Sequence, residues 1–496
     1  MYRFRLILLI LLTVAALPAQ EFSEIIEIND YTDGLQETDG GNSICVYHEY
    51  VHILWQEMDS TYSSYVTTSA DGGTTFGEDV RLDTTHVQIF GSLAVNGSGT
   101  IYAAWDDVDF ESEIITGVYL SRSTDHGQTF SEPVTVSSSG VFPDVQADGN
   151  QVYVSFMNLV TDSTFGFFFA RSTDGGLSFE EPYQISSEAV DYIKMDSPAT
   201  LVLGSDGTLY FAWNDGRRPD DGSDIYLAVS TDGGQSFGEN ILVNAPTDDE
   251  PRLRTAPGIA LGDGNVYLVW REEAEENGDG RRILFSKASR ADLIFDPAME
   301  MITGGYASPC ITANANGDIY LGYPQSNDGL GLFITKSSDQ GITWPMTVMV
   351  SQTGEFSKDP SITVDADDVV HAVWTVAREE NEDDVYYTQG QIVITTLDER
   401  LPQPEQYTLL SNYPNPFNPS TTISYELRLP GRVTLMVFDI NGKLVRTLQE
   451  RVQPAGQYSL NWDGSDDSGR PLTSGIYFCR LWALNEQRTT KMILLE

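Results

Sequence analysis

The sequence predicts an all-β protein: a β-propeller of seven blades, with six the alternative, followed by a small β-sandwich. Three observations support this prediction. The composition favours strands and turns, because β-branched and aromatic residues are plentiful and 43 Gly and 22 Pro interrupt them. A turn motif recurs along most of the chain at near-constant spacing. A separate run of alternating strands begins at Tyr407.

The turn motif reads Ser-x-Asp-x-Gly-x-x-aromatic, and its Asp residues are 54, 49, 58 and 107 positions apart. The Ser and Asp side chains can accept hydrogen bonds from backbone N–H groups of a turn, the Gly supplies a positive φ, and the aromatic packs the turn onto its blade. The last interval is a double step, with a degenerate copy expected near Phe285–Ser289. The five copies are Ser69, Asp71, Gly73 and Phe76; Ser123, Asp125, Gly127 and Phe130; Ser172, Asp174, Gly176 and Phe179; Ser230, Asp232, Gly234 and Phe237; and Ser337, Asp339, Gly341 and Trp344.

Between these turns lies a second repeated element: an apolar strand, a turn, and a strand that ends in an aromatic residue. One unit is then strand, turn, strand, loop, strand, turn motif and strand, which is a four-stranded propeller blade. The chain has seven strand pairs but six motif positions, because the last unit lacks the motif. We therefore expect the segment Glu24–Asp30 to supply the last strand of the final blade. Prolines are expected to open five of the first strands. The aromatic residues are Trp55, Trp105, Phe156, Trp213, Trp270, Tyr323 and Trp374.

The five turn motifs resemble the Asp boxes, or BNR repeats, of sialidases and related propellers. Because strands alternate in direction, the motif turns and the turns inside each first strand pair share one face, here called the box face. The loops that follow the aromatics, and those that enter each first strand, share the opposite face, here called the loop face. The resemblance implies that ligands bind on the loop face, near the central channel. Sialidases have six blades, and the predicted seven depart from that family.

Acidic or amide side chains lie two positions past six of the seven aromatics, where we expect them on the loop face. They can cap turns by accepting local backbone N–H groups. Alternatively, they form a ring of oxygens for sugar hydroxyls or for a hard cation such as calcium. No EF-hand loop, CxxC pair or Cys/His cluster is present, so the sequence predicts no other cofactor or metal. These ligand-face candidates are Glu57, Asp107, Asn158, Asp215, Glu272 and Gln325.

The resemblance to sialidases also implies a catalytic set of three arginines, which bind the substrate carboxylate bidentately, and a tyrosine nucleophile. The candidates for such a set are Arg217, Arg254, Arg271 and Tyr306. The Arg-Ile-Pro motif that opens true sialidases is absent, and acidic neighbours such as Glu273 explain the arginines as surface ion pairs. We therefore assign no catalytic residue.

The C-terminal segment 407–496 resembles the type A sorting domain of the type IX secretion system, an FlgD-like immunoglobulin sandwich. The matching residues are the run Tyr413–Thr421, the turn Asp439–Lys443, Trp462–Gly464, Ser474–Phe478 and the terminal Lys491–Leu495. The resemblance implies that the type IX machinery is a partner and that the chain crosses the periplasm to the outside, where it is released or held on the outer-membrane surface. The Pro- and Glu-rich stretch 398–406 is predicted to be a linker.

Residues 1–20 read as a signal peptide, because Arg3 and Arg5 precede an apolar run, Leu6–Leu17, and a cleavage site near Ala19. The run is shorter than the roughly 20 residues that span a bilayer, so no transmembrane segment is expected in the mature chain. The propeller is then 21–397. The net charge is −45, and the first 406 residues carry −46 of it, which excludes nucleic acid as a partner. Three widely spaced cysteines imply no disulfide framework.

Three functions remain open. The first is a non-catalytic secreted or surface module that binds extracellular glycan or protein through the loop face. The second is a sialidase-like glycoside hydrolase that acts on extracellular glycans. The third is a structural surface protein. Aromatic side chains around a shallow site favour the first function, and converging Arg, Glu, Asp and Tyr side chains in a deep pocket favour the second.

Overall fold

The structure is a computed structural model, and the chain divides after Ile394 into two compact units. It describes residues 22–28, 35–38, 42–57, 62–82, 88–109, 114–161, 164–188, 190–191, 199–217, 222–244, 252–274, 281–304, 308–325, 331–351, 356–378, 383–393, 407–427, 431–439, 443–453, 456–483 and 486–495. The proposed signal peptide, the linker 398–406 and Tyr306 lie outside these residues. In the described part of the chain, no helix is both long and apolar enough to cross a membrane.

The first unit holds seven antiparallel sheets in chain order, as the repeat predicts. Blade 1 comprises β2 (Gln36–Glu37), β3 (Ile44–Tyr47), β4 (Tyr50–Glu57), β5 (Ser63–Ser69) and β6 (Val80–Arg81). Blade 2 comprises β7 (Gln88–Val95), β8 (Ile101–Asp109), β9 (Ile114–Ser123) and β10 (Val134–Ser137). Blade 3 comprises β11 (Val141–Asp148), β12 (Gln151–Leu159), β13 (Thr164–Ser172), β14 (Tyr183–Gln184) and β15 (Val190–Asp191).

Blade 4 comprises β16 (Thr200–Leu203), β17 (Leu209–Asp215), β18 (Asp224–Ser230) and β19 (Ile241–Leu242). Blade 5 comprises β20 (Arg252–Gly262), β21 (Asn265–Ala274), β22 (Arg282–Ser289) and β23 (Met299–Thr303). Blade 6 comprises β24 (Cys310–Ala313), β25 (Ile319–Gln325), β26 (Gly331–Ser337) and β27 (Met346–Met349). Blade 7 comprises β28 (Phe356–Val364), β29 (Val370–Ala377), β30 (Asp384–Gly390) and the N-terminal β1 (Ile26–Glu27).

The innermost strands close a ring around a central channel. Each packs against the next in the order β3, β7, β11, β16, β20, β24 and β28, and β28 returns to β3. The predicted closure of the last blade is confirmed, because Ile26 pairs with Tyr387 and Glu27 with Tyr386 across β1 and β30. This pairing covers the edge that blade 7 would otherwise expose. The first unit is therefore a seven-bladed β-propeller, and the alternative of six blades is wrong.

The repeated aromatics lie in the second strand of each blade and form the cores between blades. Trp55, Trp105, Trp213, Trp270 and Trp374 are fully buried. Each Å² of apolar surface removed from water stabilises the folded state by roughly 25 cal/mol, so each buried tryptophan makes a large local contribution to stability.

The serine and glycine of the turn motif make the same hydrogen bond in all five copies. Each motif glycine is buried, has a φ between +77° and +85°, and donates its N–H to the hydroxyl of the motif serine at 2.8 or 2.9 Å. The positive φ is the conformation that the motif predicts. The pairs are Gly73 with Ser69, Gly127 with Ser123, Gly176 with Ser172, Gly234 with Ser230 and Gly341 with Ser337.

The motif aspartates close the same turns from the other side. In the first copy, Thr75 donates through its N–H to Asp71 Oδ1 at 2.8 Å and through its hydroxyl to Oδ2 at 2.7 Å. The Thr75 hydroxyl leads the contacts that lower the pKa of Asp71 to about 2. A Ser or Thr hydroxyl four positions later makes the same contact, at 2.6 or 2.7 Å, with Asp125, Asp174, Asp232 and Asp339.

The motif aromatics pack across the boundary between blades. All five are half-buried, and three stand edge-on to a ring of the preceding blade, with centroids 4.9 to 5.3 Å apart: Phe76 on Tyr387, Phe237 on Phe169 and Trp344 on Phe285. Phe130 and Phe179 pack against clusters that likewise combine their own blade with the preceding one. The sequence predicted that each aromatic packs on its own blade. In the structure, each ring also packs against the preceding blade.

The second unit is a sandwich of two sheets. One sheet orders β31 (Tyr407–Tyr413), β32 (Thr421–Leu427) and β35 (Gly456–Trp462). The other orders β34 (Leu444–Gln453), β33 (Gly431–Phe438), β36 (Gly475–Ala483) and β37 (Glu486–Leu494). Tyr425 and Trp462 of the first sheet share a core with Leu435 and Leu481 of the second. This arrangement confirms the predicted β-sandwich.

Candidate functional site

A cavity of about 90 Å³ opens in the central channel of the propeller. The inner strands of six blades and Asn42, which precedes the inner strand of the remaining blade, line it. Most lining residues lie near the middle of the inner strands, such as Ser92 in β7 and Asp144 in β11. The cavity therefore lies partway along the channel, between the loop face and the box face.

Four inner strands carry a β-bulge at the same height beside this cavity. The strand register shifts between Gln88 and Gly91 in β7, and at equivalent places in β11, β20 and β28. In the last three, a proline sits at the bulge and the residue before it has positive φ: Phe142, Ala256 and Asp359. Proline cannot donate to the ladder, so it favours a bulge. These prolines lie inside their strands, and the expectation that they open the strands is wrong.

One buried carboxylate supports the bulges of two adjacent blades. Phe90 N–H donates to Oδ1 of Asp106 at 3.0 Å, and Phe142 N–H donates to Oδ2 at 2.8 Å. A bulge leaves backbone N–H groups without a ladder partner, and Asp106 accepts both of them. Burial raises the pKa of the fully buried Asp106 to about 8, against the lowering effect of the Phe142 N–H.

The two bulges bring a pair of aromatic rings to the cavity wall. Phe90 and Phe142 both line the cavity, are half-buried, and have ring centroids 4.2 Å apart at 41°. Because Asp106 accepts the backbone N–H groups of both residues, it fixes their relative position, and the two rings form one aromatic surface. Such a surface, beside convergent polar groups, is the usual composition of a small-molecule site.

A second buried carboxylate, Asp144, supplies the polar side of the cavity. Its Oδ1 accepts Asn42 Nδ2 at 2.7 Å, and its Oδ2 accepts the Leu201 N–H at 2.6 Å. These contacts join blade 3 to the start of blade 1 and to blade 4. Burial raises the pKa of Asp144 to about 7. Ser92, Thr200 and Ser308 add hydroxyl groups to the lining.

The predicted ligand-face residues lie at the loop-face ends of the second strands, where local contacts hold most of them. Asp215 accepts from the indole N–H of Trp213 at 3.1 Å and from the Arg217 N–H at 2.9 Å. The Asn158 amide donates to Ser139 Oγ at 2.9 Å. The other four are placed as follows: Tyr65 donates to Glu57 at 3.2 Å, Asp107 and Glu272 are buried, and Gln325 is half-buried at the end of β25.

The three candidate arginines are each bound to a carboxylate of the chain. Arg217 pairs with Asp215 at 2.5 Å and stacks on Tyr226. Arg271 pairs with Glu273 at 3.1 Å. In a separate network, the buried Arg254 binds Asp224 at 3.0 Å and Glu272 at 2.8 Å. None of the three is a lining residue of the described cavity.

The turn motifs take no part in this cavity. Of the described residues that line it, none belongs to a motif turn. The motif serines and aspartates have their partners inside their own turns, as Ser69 and Asp71 do, and the turns lie on the box face. The motif residues therefore build the blades and are not part of the candidate site.

The described residues of the predicted ligand face do not gather into a metal site. Within the described ranges, no group of three or more His, Cys, Asp or Glu side chains is placed to hold a metal ion. The calcium expectation therefore gains no support from the described residues.

Phe90, Phe142 and Asp144, which line the cavity, and Asp106, which supports its wall, were not among the candidates from the sequence. A signal for the aromatics is present: each precedes a Gly or Pro at the start of a blade, in Phe90-Gly91 and Phe142-Pro143. Asp106 carries no such signal, because it follows Trp105 at a position that holds different residues in the other blades.

Comparison with known proteins supports the two-part architecture. Residues 418–486 match the FlgD Ig-like domain, so the C-terminal unit contains a domain of this kind. The curated proteins contain no match to the whole sequence.

Solved structures with similar propellers are distant in sequence. An ulvan lyase of polysaccharide lyase family PL25 is 11% identical, with 71% of this chain and 94% of that chain covered at a TM-score of 0.51. A structure of such a lyase bound to -[GlcA(1-4)Rha3S]- is 10% identical, with 71% of this chain and 93% of that chain covered at a TM-score of 0.50. The α-L-arabinofuranosidase of Fusarium graminearum with an iminosugar inhibitor is 13% identical, with 61% of this chain and 92% of that chain covered at a TM-score of 0.44. At these identities the likeness to the two lyase structures establishes the propeller fold alone.

Proposed function

We propose that this protein is an exported, non-catalytic propeller that binds glycan through the cavity of its central channel. The observation that carries the proposal is the Phe90–Phe142 pair on the cavity wall, held by Asp106. Aromatic faces pack against the C–H faces of sugar rings, and neighbouring hydroxyl and amide groups bind sugar hydroxyls. Ser92, Asn42 and Thr200 lie on the same wall; each side chain has a hydrogen-bond partner in the chain, and its oxygen can still accept a hydrogen bond from a sugar hydroxyl.

The absence of catalysis is part of the proposal, and the state of the charged groups supports it. Both carboxylates at the cavity accept hydrogen bonds on each of their two oxygens. The arginines that a sialidase-like mechanism needs are engaged with Asp215, Glu272 and Glu273. A general acid or a carboxylate-binding arginine would have to leave these partners before it could act.

Export completes the proposal. The first 20 residues are proposed to be a signal peptide. The FlgD Ig-like domain is proposed to be a type IX sorting domain, delivering the Asp-box propeller to the medium or to the outer-membrane surface. The motif Tyr413–Thr421 and the terminal Lys491–Leu495 support this assignment. Deletion of residues 407–496 should then retain the propeller in the periplasm, as fractionation of the producing cell would reveal.

Affinity electrophoresis of the purified protein through gels that contain soluble polysaccharides tests the binding function. Phe90→Leu keeps an apolar side chain but removes the aromatic face, so the dissociation constant should rise at least about tenfold. Phe130→Leu, a half-buried ring of a box-face turn, is the matched control and should bind like the parent protein.

Two results would overturn the proposal. One is that no polysaccharide retards the parent protein, or that the parent and Phe90→Leu are retarded equally. The other is turnover of fluorogenic sialosides that Arg217→Ala abolishes, which would establish the hydrolase in place of the binding module.

A further inference from the structure

Six basic side chains of the loop face, all among the described residues, are ion-paired within the chain. Arg217, Arg254, Arg271, Arg281, Arg282 and Lys358 each lie within 3.1 Å of an Asp or Glu oxygen. Glu272 binds Arg254 and Arg282, and Glu273 binds Arg271 and Arg281. We call these six residues the paired cations.

The cavity itself offers an anion little attraction. Among the described residues that line it, no side chain is basic and the one acidic side chain is Asp144, while Asp106 accepts the backbone N–H groups of the two phenylalanines. The remaining polar lining consists of hydroxyl and amide groups, such as Ser92, Thr200 and Asn42. These groups bind sugar hydroxyls, whereas carboxylate and sulfate groups are bound most strongly by guanidinium or ammonium donors.

We infer that the ligand of this cavity is a neutral saccharide, one without carboxylate, sulfate or phosphate groups. The inference rests on the proposed glycan binding and specifies its ligand class. An anionic sugar finds no cationic donor in this lining, and it would have to displace Glu272 or Glu273 to reach a guanidinium. A neutral sugar meets neither cost.

The test is a panel in which each polysaccharide backbone is present in a neutral and an anionic form. Homogalacturonan serves in its fully methyl-esterified and de-esterified forms, xylan without and with glucuronate branches, and lactose-terminated glycans without and with sialic acid. Affinity electrophoresis at low ionic strength compares the two members of each pair. We expect retardation by neutral members, with anionic partners at least tenfold weaker.

The outcomes of the panel separate the two proposals. Binding of an anionic member as tightly as its neutral partner overturns the neutral-ligand inference and leaves glycan binding intact. Retardation by no member overturns glycan binding, and the inference with it.

A charge variant tests the role of the paired cations directly. Glu273→Gln removes the carboxylate from Arg271 and Arg281, so retardation by de-esterified homogalacturonan should increase at least threefold and should disappear at high salt. Glu180→Gln, which removes the exposed carboxylate from the half-buried Arg171 of the box face, is the control and should leave retardation unchanged. Equal retardation of parent and Glu273→Gln would contradict the role assigned to the paired cations.

Discussion

The two faces of the propeller are built by different means. On the box face, each turn is closed by contacts within a few residues, such as Gly73 N–H to Ser69 Oγ, and the same set recurs in five blades. Beside the cavity, the contacts join distant segments: Leu201 and Asn42 reach Asp144 over 57 and 102 residues. Repetition therefore specifies the scaffold, and departures from repetition specify the site.

The largest expected effect comes from the buried ion network behind the loop face. Glu272→Gln removes the carboxylate that binds both Arg254 and Arg282. Because Glu272 and Arg254 are almost fully buried, the variant leaves Arg254 with Asp224 alone and the buried network one negative charge short. We expect a loss of about 3–5 kcal/mol in the free energy of unfolding, measured by urea titration.

Glu180→Gln gives the matched comparison for that loss. It breaks the bidentate pair with Arg171 on the box face, where the Glu180 side chain is exposed. An exposed pair contributes about 0–1 kcal/mol, so the variant should unfold close to the parent. Equal losses in the two variants would contradict the assignment of the loop-face arginines to a structural network.

A smaller effect is expected where one blade presses on the motif turn of the next. A Cβ at Gly234 would lie 2.7 Å from the ring of Phe169 in the preceding blade, and the φ of Gly234 is +77°. Gly234→Ala therefore combines backbone strain with a steric clash and should cost about 2–4 kcal/mol in thermal unfolding experiments.

Gly233→Ala in the same turn isolates the backbone contribution. Its φ is +71°, but the atom nearest to an added methyl group, Tyr153 Oη, is 3.9 Å away. The cost should be about 1–2 kcal/mol. If both alanine variants lose the same stability, the contact between blades contributes nothing and the motif stabilises each blade alone.

The same contrast explains how much the sequence could predict. The motif spacing and the aromatics at Trp55 and its equivalents predicted seven blades, and the segment around Ile26 predicted the closure. These features repeat or depend on alternation, which a single sequence displays. The FlgD-like unit was predictable from local motif residues, such as the run Tyr413–Thr421 and the turn Asp439–Lys443.

The cavity wall was not predictable from the same signals. Asp106 matters because it reaches the N–H of Phe142 in the next blade, and such a contact appears after the ring has closed. The arginines Arg217 and Arg254 were identified as candidates from their residue type and position. Their partners Asp215 and Glu272 were themselves candidates, and the structure joins the two groups into ion pairs.

The last expected difference between the two faces is one of pH dependence. Burial raises the pKa of Asp106 to about 8 and that of Asp144 to about 7. The folded state then holds more protons than the unfolded state from about pH 4 upwards, so stability should fall as pH rises towards 8. In the motif turns, hydroxyl and N–H donors lower the pKa of Asp71 and Asp125 to about 2, so their contribution is lost as pH falls from about 4 to 2.

Two variants separate these opposite slopes when their melting temperatures are followed from pH 2 to pH 9. Asp106→Asn cannot titrate, so the decrease between pH 5 and 8 should become shallower while the acid limb stays the same. Asp125→Asn should flatten the acid limb alone. His52, whose pKa burial lowers to about 4, titrates in the parent and in both variants, so it cancels in the difference. A parent-like slope between pH 5 and 8 in Asp106→Asn would mean that Asp106 is ionised in the folded protein, held by the two N–H groups of Phe90 and Phe142.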